Sequence, residues 1–124
     1  MAEEKRFENK IKNYLKDNDY WYVKYWGGAK YTSNGVPDIL ACINGYFVGV
    51  EVKANKGRPS ALQLWQIKCI RRGGGIGIVL YPSQWDKFTE LCKCLKAGMW
   101  SDAETIMFEI DEKLSQKDKE VLYE

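Results

Sequence analysis

The sequence predicts an α/β domain in which helices flank a central mixed β-sheet, with the elements in the order α-β-β-β-α-β-α. Three observations predict this class. An apolar stripe recurs at helical spacing in residues 6–16, two β-rich runs flank Asn44-Gly45, and a second helical stretch precedes the apolar run 76–81. Strands that alternate with helices along a chain are typical of sheets covered by helices.

The length and composition predict a single compact domain. The 124 residues suffice for one hydrophobic core and are too few for two. Hydrophobic side chains make up 45% of the chain and charged side chains 29%, as in ordinary globular proteins. We therefore expect one domain over residues 1–100 and an acidic C-terminal extension over residues 101–124, packed on that domain or on a partner subunit.

The first two elements are a helix and a strand. In residues 6–16 the positions i, i+4, i+7 and i+8 are all apolar, and they are Phe7, Ile11, Tyr14 and Leu15. Helical geometry places Glu8 at the edge of this stripe, away from the solvent face. Residues 20–26 are aromatic and β-branched, which predicts a strand, and a glycine-rich loop follows over residues 27–35.

The next two strands are predicted to form a hairpin. Residues 36–43 and 46–53 are both β-rich, and only Asn44-Gly45 separates them. Asn-Gly in this setting favours a two-residue type I′ turn, so the residues on either side of it pair directly. Alternation along the strands then assigns one face to the core, and this face carries Ile39, Ala41, Ile43, Val48, Val50 and Val52.

The same register brings two acidic residues together. Counting outward from the turn, Asp38 falls directly opposite Glu51, where Cβ atoms are roughly 4.5–5.5 Å apart. Two carboxylates repel at that distance unless a cation or a proton lies between them, and a hard ion such as Mg²⁺ suits such oxygens. Lys53 shares the face of Glu51. The alternative is that Glu51 and Lys53 are solvated strand positions and that Asp38 is a turn residue after Pro37.

The remaining elements complete the predicted order. A basic loop over residues 54–59 leads to a helix over residues 60–72, which the glycines at 73–75 end. The short apolar run 76–81 is typical of a buried strand. A further helix is predicted over residues 82–96, and one or two helical segments in the extension.

Charge is distributed unevenly along the chain. The net charge is +2, and residues 101–124 carry eight acidic against three basic side chains, or −5, which leaves +7 on residues 1–100. A basic body with an acidic tail favours a polyanionic partner for the body.

Pro37-Asp38 followed by Glu51-Val52-Lys53 has the form of the PD-(D/E)XK nuclease signature. The wider pattern adds five residues, which are Glu8, Gly35, Ser60, Gln63 and Gly74. Over residues 4 to 81 the chain resembles the VRR-Nuc (virus-type replication-repair nuclease) family of that superfamily. The resemblance implies a restriction-endonuclease-like core.

The resemblance also implies roles for individual residues. Asp38 and Glu51 would be metal ligands, with the backbone carbonyl of Val52 as a third. Lys53 would orient or activate the attacking water. Glu8 would hold the metal through a water molecule, although Glu4 lies on the same helix face.

A glutamine is also expected to line the site. The resemblance assigns this role to Gln63, which is at the same time the N3 residue of a possible Ser60 capping box. Gln66, on the inward face of the same helix, is the alternative.

The resemblance implies a metal-dependent, structure-specific endodeoxyribonuclease that uses Mg²⁺ or Mn²⁺. Stand-alone domains similar to this one tend to be viral, to form homodimers and to cut branched DNA such as Holliday junctions. Two active sites related by a two-fold axis suit a junction with paired scissile strands. The alternatives are a single-site nuclease for flaps or splayed arms, and a nucleic-acid-binding module of the same fold that does not cut.

Basic and aromatic side chains near the predicted site are candidates for DNA contact. The candidate phosphate contacts are Lys24, Lys30, Lys56 and Arg58. A solvated surface role is the alternative for each. The aromatic candidates for base stacking are Trp21, Tyr22, Tyr25, Trp26 and Tyr31, and sheet core or a subunit interface is the favoured alternative for these.

Several classes of function are excluded or disfavoured. The chain has no histidine, which excludes Ser-His-Asp and Cys-His catalysis and histidine-ligated zinc. The cysteines have no paired C-x-x-C spacing and are expected to be reduced thiols; they are Cys42, Cys69, Cys92 and Cys94. No run is apolar enough for a membrane span and the N-terminus lacks a signal pattern, so we expect an intracellular protein without a membrane partner. No organic cofactor is expected.

Overall fold

A computed structural model describes residues 2–27 and 34–124. Its five α-helices and four β-strands include the elements predicted from the sequence, and they are α1 Ala2–Asp17, β1 Trp21–Lys24, β2 Ile39–Ile43, β3 Tyr46–Val52, α2 Ala61–Arg72, β4 Ile76–Leu80, α3 Trp85–Lys96, α4 Trp100–Ile110 and α5 Gln116–Tyr123. Two 3₁₀ turns, Pro82–Gln84 and Asp111–Lys113, precede α3 and follow α4. The extension therefore holds two helices.

The strands form one mixed, open sheet in the order β1-β2-β3-β4. Neighbours β1–β2 and β2–β3 are antiparallel, whereas β3–β4 is parallel because α2 crosses over between them. With helices on both faces, the architecture is the predicted α/β class.

The predicted hairpin and its register are confirmed. Asn44 and Gly45 have φ angles of 51° and 83°, the two positive values that a type I′ turn requires. Ile43 pairs with Tyr46 beside the turn. All six side chains predicted on the core face are at most 1% exposed, and they are Ile39, Ala41, Ile43, Val48, Val50 and Val52.

Each face of the sheet has its own hydrophobic cluster. Side chains of α1, α3 and α4 pack with the strands in the larger cluster, which includes Ile11, Leu15, Phe88 and Leu91. The other face holds a smaller cluster, in which Leu64 and Ile67 of α2 join Leu122 of α5. Gly77 permits this close packing of α2, because a Cβ there would lie 3.1 Å from the backbone oxygen of Ile67.

A buried ion pair fixes the C-terminal extension to the sheet. Arg71 of α2 donates two hydrogen bonds of 2.8 Å to Asp111, which is 1% exposed. Its guanidinium also donates to the backbone oxygen of Gly77. Tyr123 donates to Asp111 as well, so the two carboxylate oxygens are fully satisfied.

Candidate metal site

The acid pair lies at the end of the β2–β3 hairpin that is farther from the turn. The last paired residues of the ladder are Ile39 and Val50, and Asp38 and Glu51 follow them directly. Asp38 accepts a hydrogen bond of 2.9 Å at Oδ2 from the backbone N–H of Val52. This bond holds the Asp38 carboxylate against β3 at the position of Glu51.

Glu51 is a buried carboxylate with an incomplete set of partners. It is 2% exposed, and its Oε2 lies 3.2 Å from Nζ of Lys53. Its Oε1 is buried without a hydrogen-bond partner among the described residues. Burial, together with the negative charge of Asp38, raises the pKa of Glu51 to about 8, although Lys53 acts to lower it. The site therefore favours an added proton or cation at this carboxylate.

Glu8 reaches the same region from α1. It is 5% exposed, and its Oε1 accepts a hydrogen bond of 2.7 Å from Lys24. Lys12 and Lys5 lie 3.3 and 3.5 Å from its Oε2, as ion pairs without hydrogen-bond geometry. Burial acts to raise the pKa of Glu8, but the hydrogen bond and charge of Lys24, with help from Lys12, outweigh it and lower this pKa.

Lys24 connects Glu8 to the acid pair. Its ammonium group lies 2.7 Å from Glu8 Oε1 and 3.5 Å from Asp38 Oδ1. Burial acts to lower the pKa of Lys24, but the hydrogen bond to Glu8 and the charge of Asp38 raise it above its usual value. A positive charge of the protein therefore lies between the carboxylates of Glu8 and Asp38.

The acid pair fits a divalent cation with ligands of more than one kind. Within residues 2–27 and 34–124, no three His, Cys, Asp or Glu side chains lie close enough together to hold a metal ion by themselves. Asp38 and Glu51 supply carboxylate oxygens, and the buried Oε1 of Glu51 has no hydrogen-bond partner in the part of the chain that the structure describes. Oxygen ligands from two carboxylates, a backbone carbonyl and water are a set that Mg²⁺ accepts.

The two glutamines of α2 have different partners. Gln63 forms a complete capping box with Ser60: its Oε1 accepts from the Ser60 N–H at 2.9 Å, and the Ser60 hydroxyl accepts from the Gln63 N–H at 3.1 Å. Gln63 also lines a pocket of about 200 Å³ together with Asp38, Asn34 and Gly35. Gln66 donates to the backbone oxygen of Asn34, but Gln66 itself is not among the residues that line this pocket.

The candidate phosphate contacts lie in different places. Lys24 is engaged with the two acids just described, and Lys30 lies outside the described residues. Lys56 and Arg58 line a second pocket, to which Lys113 of the extension also contributes. The part played by Lys113 was missed by sequence reasoning, because nothing local in the extension marks it.

An exposed apolar surface lies on the face of the sheet that packs against α2, on the part formed by β1, β2 and the start of β3. The register aligns Trp21, Cys42 and Phe47 in one row and places Val23 beside Leu40 in the next. Trp21 is 59% and Phe47 42% exposed, and Cys42 is also exposed. We call these five residues the β1–β3 patch. Of the aromatic candidates, Trp26 is exposed, Tyr22 packs against the core, and Tyr31 lies outside the described residues.

Comparison of the chain with family models, with curated proteins and with solved structures gives no match. Among the described residues, no helix has the length and apolar character needed to cross a membrane.

Proposed function

We propose that the chain is a metal-dependent endodeoxyribonuclease with a restriction-endonuclease-like PD-(D/E)XK core of the VRR-Nuc type. The observation that carries this proposal is the buried Glu51 carboxylate: its Oε1 has no hydrogen-bond partner within residues 2–27 and 34–124, while Asp38 and Lys53 lie against it. A buried carboxylate oxygen without a hydrogen-bond partner destabilises a fold, and carboxylates with strongly raised pKa values cluster at functional sites.

The acid pair would hold Mg²⁺ or Mn²⁺. Asp38 and Glu51 are the proposed carboxylate ligands, and the carbonyl of Val52 is the proposed third, since the main chain of Val52 lies against Asp38. A divalent ion at this position lowers the pKa of a bound water and polarises the phosphate. Glu8 is the proposed outer ligand, acting through water.

Lys53 is the proposed catalytic cation. Its ammonium group lies 3.2 Å from Glu51 Oε2. This supports a role in stabilising the negative charge that would develop on a phosphate bound at the acid pair. The Lys53 side chain is 13% exposed, so little water competes for its charge. Gln63 is the proposed contact to the same phosphate group, and its position in the lining of the pocket beside Asp38 supports this role.

The proposed substrate is branched DNA, such as a Holliday junction, cut by a homodimer inside the cell. The β1–β3 patch supports the dimer, because apolar surface of this kind on an otherwise charged protein is commonly a contact surface. By the strand register it lies on the same face of the sheet as the acid pair. A two-fold axis through the patch would present both acid pairs to two strands of a junction.

Cleavage of labelled DNA tests the proposal. The protein is incubated with a four-way junction, a splayed arm and linear duplex, each with Mg²⁺, Mn²⁺ or EDTA. We expect metal-dependent cutting of the junction in preference to the duplex. Cutting of the splayed arm alone would support the single-site alternative, and no cutting of any substrate with either metal would overturn the nuclease assignment.

A matched pair of variants locates the activity. Asp38→Asn removes one proposed ligand charge and should abolish cutting while junction binding persists. Asp19→Asn makes the same chemical change at an exposed residue whose φ of 58° suits asparagine, so it should leave cutting intact. Equal activity of the two variants would refute the assigned site.

A further inference from the structure

A second, basic pocket lies between the 54–59 loop and the C-terminal extension. Its volume is about 280 Å³. The lining residues on which the argument depends are Lys56, Gly57, Arg58, Tyr81, Lys113 and Asp118. Three of these side chains are cationic and one is anionic, so the pocket carries an excess of two positive charges. The extension, although acidic as a whole, supplies one of the cations.

The walls of the pocket are fixed by packing and hydrogen bonds. Tyr81 is 4% exposed, and its hydroxyl donates 2.8 Å to the backbone oxygen of Gly57. Lys113 Nζ lies 5.0 Å from the centre of the Tyr81 ring, at cation–π distance. Lys113 also ends the 3₁₀ turn that begins at Asp111, which Arg71 holds in the core. The position of its backbone is therefore fixed.

Arg58 is the weakly held member of the pocket. Its Nη2 lies 3.4 Å from Asp118 Oδ2 and 3.4 Å from the Ser115 hydroxyl, and its side chain is 67% exposed. Exposed ion pairs of this length contribute little to stability. A phosphate group, which offers Arg58 a stronger charge-assisted and bidentate partner, can therefore replace the contact with Asp118.

The pocket adjoins the candidate metal site through Gly57. A Cβ at Gly57 would lie 3.4 Å from Cδ of Lys53, so the loop backbone is in contact with the proposed catalytic lysine. Gly57 also lines the pocket. A phosphodiester chain with one phosphate at Lys53 would therefore bring a neighbouring phosphate close to this pocket.

We propose that this pocket binds a second phosphate of the nucleic-acid backbone, next to the phosphate at Lys53, and that the C-terminal extension completes it through Lys113. The assignment rests on the proposed function for its substrate class. It gives the extension a part in binding the DNA backbone in addition to its packing on α2.

Salt-dependent binding tests this pocket without any cleavage. Fluorescence anisotropy in EDTA gives the affinity for linear duplex as a function of salt, for the wild type and for Lys113→Gln. Loss of one phosphate contact should weaken binding and flatten the slope of log K against log salt by about 1. Lys117→Gln, an exposed lysine of α5 outside the lining, is the matched control and should behave as the wild type. Circular dichroism melts verify that both variants fold.

The outcomes separate this pocket from the nuclease assignment. If the slope changes in Lys113→Gln alone but no DNA is ever cut, the pocket stands and the proposed catalytic function falls. A wild-type slope in Lys113→Gln, or an equal change in Lys117→Gln, would overturn the pocket. Calorimetry with inorganic phosphate is the last arm: saturable submillimolar binding that Lys113→Gln removes would assign the pocket to the free ion instead of the DNA backbone.

Discussion

Glu51 is the residue at which folding and proposed function are in conflict. Its carboxyl is buried and faces Asp38, and one of its oxygens has no hydrogen-bond partner in the described part of the chain; these conditions disfavour its charged form. A metal ion reverses that preference, because it attracts the carboxylate and excludes the proton. The protonation of Glu51 in the metal-free protein is therefore linked to its stability.

The stability of the metal-free protein should fall as pH rises. The pKa of Glu51 is raised from 4.5 to about 8, so between these values the folded state keeps a proton that the unfolded state has lost. The contribution is complete below pH 4.5 and disappears as the pH passes about 8. Between them the free energy of unfolding should decline by up to about 1.4 kcal/mol per pH unit.

Urea unfolding at several pH values in EDTA measures this decline. Glu51→Gln, which cannot lose a proton, should flatten the profile, whereas Glu112→Gln, at an exposed position of the extension, should not. Saturating Mg²⁺ should reduce the decline in the wild type. A Glu51→Gln profile with the same slope as the wild type would show that this carboxyl does not carry the proton.

Lys24 should compete with a divalent cation for the acid pair. Its ammonium group lies 3.5 Å from Asp38 Oδ1, so it repels any cation bound there. Lys24→Met should therefore tighten Mn²⁺ binding roughly tenfold or more, since charges a few ångströms apart at a protein surface interact by several kcal/mol. Lys12→Met is the control, because Lys12 forms its ion pair with Glu8 and not with the acid pair Asp38 and Glu51 among the described residues. Weaker Mn²⁺ binding in Lys24→Met would instead show that Lys24 positions the carboxylates for the metal.

At the scale of the elements, Gly35 sets the loop that delivers Asp38 against the start of α2. Its φ is +78°, and a Cβ there would lie 2.7 Å from the backbone carbon and oxygen of Leu62. Gly45 has a similar φ of +83°, but a Cβ there would meet nothing within 4 Å. An added Cβ would therefore cause backbone strain alone at Gly45, and backbone strain together with a steric clash at Gly35.

The two alanine substitutions should differ in cost. Gly45→Ala introduces only the left-handed strain of about 1–2 kcal/mol. Gly35→Ala should have the same strain and should lose a further amount of about 1–3 kcal/mol of stability, because the added Cβ overpacks against α2. It should also weaken Mn²⁺ binding, because the loop carries Asp38. Chemical denaturation with a Mn²⁺ titration measures both effects. Equal loss of stability in the two variants, with Mn²⁺ binding kept, would show that the Gly35–Leu62 approach does not position the site.

The sequence predicted the elements that depend on local signals. The Asn44-Gly45 turn determined the hairpin register, and that register brought Asp38 opposite Glu51. The strand predicted over residues 20–26 spans only Trp21–Lys24 in the structure. It begins after Tyr20 because the N–H of Tyr20 still donates to the Leu15 carbonyl at the end of α1.

Contacts between residues far apart in sequence were not predictable in the same way. The link between Glu8 and Lys24 depends on how α1 packs beside β1, and periodicity gives only the face of each element. Arg71 lies in the last turn of α2, where a cation complements the helix dipole. It also pairs with Asp111, which is 40 residues further along the chain, beyond β4 and α3. Such partners follow from tertiary packing.

At the scale of the whole molecule, the β1–β3 patch should be the dimer surface. Phe47→Glu places a charge within the patch and should convert a dimer into a monomer, as measured by sedimentation at micromolar concentration. Val121→Glu makes the same kind of change at an exposed apolar position of α5 and should remain dimeric. A wild type that sediments only at monomer mass would rule out paired cleavage by two copies.

The central claim is that Asp38 and Glu51 hold a divalent cation, and direct titration with Mn²⁺ followed by electron paramagnetic resonance tests it. The wild type should bind Mn²⁺ saturably, Asp38→Asn and Glu51→Gln should each lose that binding, and Asp19→Asn should keep it. Absence of saturable binding in the wild type, or equal binding in all four proteins, would contradict the account.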